Sequence, residues 1–74
     1  MDASVWLRSF AEALGTELPG EADVAVLLEL ASVAAHASER RSAPIACWLA
    51  ARAGAAPADA LAVARTVTDP PPAG

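Results

Sequence analysis

Gly15, the pair Pro19-Gly20, Pro44, Gly54 and Pro57 interrupt a chain written largely in alanine, leucine and valine, and their positions leave room for four short helices. Proline removes a backbone donor and glycine tolerates the left-handed conformation that ends a helix, so each interruption is a start or a stop. Between them apolar residues recur every three or four positions, the period of a helix and not of a strand. The expected fold is all-α: a compact four-helix domain over residues 1–68, with helices at about 3–14, 22–38, 43–53 and 57–67. The closing TDPPPAG has three prolines in a row, and residues 69–74 are expected to form a disordered, flexible tail.

The first helix has Asp2 or Ser4 as its cap and Gly15 as its stop. Trp6, Phe10 and Leu14 form an apolar stripe that Leu7 and Ala11 widen, and packing into the core is the expectation for Trp6 and Phe10. The second carries Glu21 and Asp23 in its first turn and ends near His36, Arg40 and Arg41, the charge order that suits a helix dipole. Val24, Val26, Leu27, Leu28, Leu30, Ala31, Val33 and Ala34 occupy most of its circumference, which marks it as the central helix. Ser42 is placed to cap the third helix, with Pro44 in its first turn, Ile45, Trp48, Leu49 and Arg52 along one side, and Gly54 at its end. Pro57 opens the fourth, whose weaker apolar face is Ala60, Leu61, Ala64 and Val67.

Charge excludes one class of partner. A net charge of −4 and five arginines without a single lysine do not make the dense basic surface that nucleic-acid backbones require. The longest apolar run, residues 24–35, is too short to cross a bilayer and has Glu29 in its middle, so no membrane association is expected. One cysteine permits no internal disulfide and the first residues do not read as a secretory leader, so the expected location is cytoplasmic. Hydrophobic residues make up 55% of the chain, whereas a domain of this size hides only about 60% of its unfolded surface. A protein partner or homo-oligomer follows as an expectation, with Trp48 and Leu49 as the candidate interface.

HASERRSAP, residues 36–44, is the most polar passage and holds the only histidine with two of the five arginines. Glu29, Ser32, His36 and then Glu39 or Arg40 follow at helical spacing, so they line one polar strip. A solvated edge of an otherwise buried helix is the first reading of that strip. The second is an anion site at the junction of helices two and three, in which His36, Arg40, Arg41 and Ser42 meet the free amides of a helix N-terminus.

Catalysis and metal binding find little here. Glu29 and His36 are seven residues apart, about 10 Å along a helix, too far to share an ion, and His36 with Glu39 gives only two ligands. Cys47 stands among Ile45, Ala46, Trp48 and Leu49, as a small buried apolar residue would, and no glycine-rich phosphate loop, G-x-S-x-G or C-x-x-C occurs. No enzyme activity, metal or cofactor is expected.

Trp6-Leu7, the run 24–35, His36, Glu39-Arg40, Ala43-Pro44-Ile45 and Gly54 resemble a small actinobacterial helical domain of unknown function, found alone or fused to molybdopterin-guanine dinucleotide biosynthesis protein A. The resemblance covers about Val5 to Val67 and departs at Arg41-Ser42, where the family tends to have proline and a small residue. It implies a link to molybdenum cofactor maturation. Guanylyl transfer itself needs a nucleotide-binding α/β domain with a phosphate loop, for which this chain has neither the length nor the motif. The functional expectation is a non-catalytic accessory or protein-interaction module, with a binder of a small anion, nucleotide or pterin at His36, Arg40 and Arg41 as the alternative.

Overall fold

A computed structural model describes residues 2–67, all-α among those residues: α1 (Ala3–Leu14), α2 (Glu21–Ala37), α3 (Ser42–Arg52) and α4 (Pro57–Thr66). These are the four expected helices, each within one residue of its predicted ends. The expected tail, 69–74, lies outside the described residues.

Local chemistry sets most of the boundaries. Asp2 begins α1 by accepting the Val5 amide at 3.0 Å through its carboxylate. Gly15 ends it at φ 74°, with the Gly15 amide donating to the Glu12 carbonyl and the Thr16 amide to that of Ala11. Gly54, at φ 73°, repeats the device after α3, where Gly54 donates to Ala51 and Ala55 to Ala50. Both are Schellman closures, which need a left-handed residue, hence glycine. Pro57 opens α4, where its missing amide would have had no partner.

Ser42 does not cap α3, contrary to the expectation from its place before Ala43-Pro44. Arg41 is already helical (φ −66°, ψ −14°), and the chain enters the helix through a tight turn in which Ser42 donates to the Glu39 carbonyl at 2.9 Å and Ala43 to that of Arg40 at 3.1 Å. Arg41 is thus already in helical conformation before Ser42, whose side chain makes no capping bond, and Ser42 is simply the first residue of the helix.

As expected, α2 is central: the main helix–helix interfaces are α2 with α3 and α2 with α4. Leu30, 2% exposed, sits at their meeting point and, among the described residues, is the one large side chain in a buried set otherwise made of Ala11 and Ala60. Short alanines on α3 and α4, among them Ala46, Ala50, Ala60 and Ala64, surround it and allow the close approach. α1 has no comparable interface, and the molecule extends 50 × 24 × 19 Å, about twice the 25 Å length of α2. The expectation that Trp6 and Phe10 are core is therefore corrected. They remain 51% and 47% exposed and stack on each other, ring centroids 4.9 Å apart, because no other helix covers that side of α1.

Candidate functional site

The junction of α2 and α3 brings the predicted anion-site residues close in sequence, and each has local work. His36 is exposed at the end of α2, and its Nδ1 lies 2.8 Å from the Ser32 carbonyl oxygen and 3.2 Å from Ser32 Oγ. A carbonyl can only accept, so Nδ1 carries the proton and, in the neutral ring, Nε2 is the free acceptor. Arg41 Nε pairs with Glu39 at 2.6 Å, both side chains well exposed, and the amides of Ser42 and Ala43 are taken by the turn. Arg40 is exposed and makes no ion pair among the described residues. Of the four predicted residues, Arg40 alone has no internal partner of its side chain or amide.

Glu29 pairs with Arg65 of α4 at 3.6 Å, across the α2–α4 interface. Sequence reasoning missed this partner, because the pairing depends on how α4 is laid against α2. No sequence signal singled it out, since α2 offers three carboxylates, Glu21, Asp23 and Glu29, as partners for Arg65 of α4. The polar strip of α2 is thus divided: Glu29 reaches α4, while Ser32 and His36 bond to each other's turn.

The larger feature is apolar. Ile45, Trp48 and Leu49 all project from α3 into solvent, Trp48 being 60% exposed, which places the predicted interface residues on an uncovered face. Below them Arg41, Ser42 and Pro44 edge a shallow hollow floored by Ile45, Ala46 and Leu49. A second hollow, lined by Leu7 of α1, Leu18, Pro19, Leu27, Leu28, Ala31 and Cys47, separates α1 from α2 and α3 and has no charged group in its lining. Cys47 is a free thiol, half-buried there among aliphatic side chains. On α1 itself Val5, Trp6, Phe10 and Leu14 are open to solvent.

Among the described residues there is no cluster of three or more metal-ligating side chains and no buried side-chain polar atom left without a partner. No described helix is long and apolar enough to cross a membrane. The uncovered faces of α1 and α3 offer apolar surface that contact with another molecule would withdraw from water.

The sequence matches, over residues 1–70, the model of a family described as a domain of unknown function, DUF6457. The chain belongs to that family. No curated protein and no solved structure matches it. For this DUF6457 chain the geometry therefore has to speak for itself, and its most extensive feature is the pair of uncovered apolar faces on α1 and α3.

Proposed function

We propose that this chain is a non-catalytic protein-interaction module that docks through its exposed apolar surface, with Trp48 as the anchor. The observation that carries the reading is the exposure of Ile45, Trp48 and Leu49 side by side on α3, together with Trp6 and Phe10 on α1, in a chain of only 74 residues. A soluble domain rarely leaves so much contiguous apolar area open unless something covers it, and buried tryptophans are among the side chains that contribute most at interfaces. The resemblance to a domain found alone or fused to molybdopterin-guanine dinucleotide biosynthesis protein A supplies the setting: an accessory role beside the guanylyltransferase of molybdenum cofactor maturation, in the cytoplasm of an actinobacterium.

The alternative, a small-ligand binder at His36, Arg40, Arg41 and Ser42, draws on less support. The Ser42 and Ala43 amides are engaged by the turn, and one of its two arginines is held by Glu39.

Calorimetric titration of the chain against the host's molybdenum cofactor guanylyltransferase tests the proposal. Saturable binding that Trp48→Glu abolishes while helicity is retained supports both the docking mode and the setting. Binding that Trp48→Glu leaves intact overturns the anchor, and absence of binding overturns the setting. Pterin or nucleotide co-purifying with the native chain, and lost from an Arg40→Ala/Arg41→Ala variant, would replace the proposal with the ligand-binding reading.

A further inference from the structure

We propose that a second copy of this chain covers these faces, the apolar stripe of α1 from one copy lying on that of α3 from the other, and the reverse. This deepens the interaction-module reading, on which it rests: the second copy holds Trp48 in the free chain, and any other protein that docks on Trp48 has to displace that copy. The two stripes are complementary in charge. Asp2 precedes the stripe of Trp6, Phe10 and Leu14 on α1 and Glu17 follows it beyond the Gly15 stop, while Arg41, paired with Glu39, and Arg52 flank Ile45, Trp48 and Leu49 on α3. All of these residues are exposed, and Arg52 and Glu17 make no ion pair among the described residues. The α1 stripe laid on the α3 stripe offers Arg52 and Glu17 opposite charge, whereas α1 on α1 or α3 on α3 would oppose like charges.

The area decides between one contact and two. Each aromatic left half-open here offers about 100 Å², half of the 150–250 Å² such a side chain can bury, so either stripe with its aliphatic neighbours exposes on the order of 400 Å². A single α1–α3 contact would bury about 800 Å² in total, the size of a weak lattice contact. Two copies related by a two-fold axis make the contact twice and bury about 1,600 Å², the size of a stable specific interface. One chain carries both halves of the contact, so two copies close the assembly without leaving either stripe open.

Two single-face variants of the full chain test this, with mass read by light scattering and helicity by circular dichroism. The native chain is expected at about twice its 7.5 kDa mass. Phe10→Glu and Trp48→Glu are each expected to be helical monomers, and a one-to-one mixture of them to recover dimer more weakly, through the one α1–α3 contact still intact. Should either glutamate variant lose helix, Phe10→Gln or Trp48→Gln takes its place. A native chain monomeric at all concentrations overturns the proposal, as does a dimer that survives either variant. A monomeric native chain that still binds another protein through Trp48 would sink the second copy alone and leave the interaction module standing; one that binds nothing through Trp48 would remove both.

Discussion

Replacing Leu30 with alanine removes the one large side chain that α2, α3 and α4 bury together. Leu30 is 2% exposed, and its surroundings on α3 and α4 are dominated by alanines whose methyl groups are too short to move into the space. Such a site relaxes poorly, so Leu30→Ala should cost about 3–5 kcal/mol, toward the upper part of the range for buried leucine truncations. Natural stability of about 0.05–0.15 kcal/mol per residue gives a chain of 74 residues roughly 4–11 kcal/mol in all. The substitution therefore removes a large share of the folding free energy. Urea unfolding followed by circular dichroism at a single protein concentration measures it, with Leu28→Ala as the comparison. Leu28 is 67% exposed and should lose less than about 1 kcal/mol. If alanine at position 30 leaves no folded state to titrate, Leu30→Met keeps the volume and should cost less than about 1.5 kcal/mol. A Leu30→Ala loss below about 1 kcal/mol, or equal losses at 28 and 30, would refute the claim that α2 is held to α3 and α4 around this side chain.

Other outcomes follow from the helix ends and the junction. Gly54→Ala should cost about 1–2 kcal/mol by chemical unfolding, purely from the left-handed backbone, since nothing lies within 4 Å of an added Cβ. Asp2→Ala should lose about 0.5–2 kcal/mol with the cap on α1, whereas Ser42→Ala should change stability by less than about 0.5 kcal/mol; an equal loss at both would restore Ser42 as a cap. If the anion reading of the junction holds, phosphate, sulfate or molybdate should raise the melting temperature and Arg40→Ala/Arg41→Ala should abolish that response; equal shifts in both proteins, or none, would leave these arginines as solvated surface. If two copies associate, melting should shift upward by about 3–6 °C for each tenfold rise in chain concentration, and a concentration-independent melt would contradict association.

The helices were legible because their limits are local. Gly15 and Gly54 are needed wherever a left-handed residue closes a helix, Pro57 suits a first turn in any fold, and the apolar period of 24–35 holds whatever packs on it. The central place of α2 was legible for the same reason, since a helix apolar around most of its circumference needs neighbours on several sides. Trp6 and Phe10 were misplaced because periodicity identifies an apolar face without saying whether this chain supplies its cover. Ser42 was misread because the tight turn from Glu39 and Arg40 already sets Arg41 in helical conformation, which starts the helix at Ser42 instead of after it. The Glu29–Arg65 pair was out of reach, since it depends on how two helices are laid together and not on spacing within either.

The most conspicuous passage of the sequence and the most conspicuous surface of the fold are different places, and solvation explains which one asks for a partner. In HASERRSAP the polar groups are at ease: the His36 ring is tied to Ser32, Arg41 to Glu39, the amides of Ser42 and Ala43 to the turn, and Arg40 stands in water. Charged groups in water carry no penalty that a ligand must relieve, and exposed ion pairs contribute about 0–1 kcal/mol whether or not anything binds. The open stripes of α1 and α3 are in the opposite condition. Every square ångström of apolar surface withdrawn from water stabilises by about 25 cal/mol, so Trp6, Phe10, Ile45, Trp48 and Leu49 together represent a driving force that the described residues, with Leu30 as their one large buried side chain, leave unused. Burial against another molecule would relieve them, and that asymmetry is why the proposed functional surface is the stripes of α1 and α3 before the arginines of the junction.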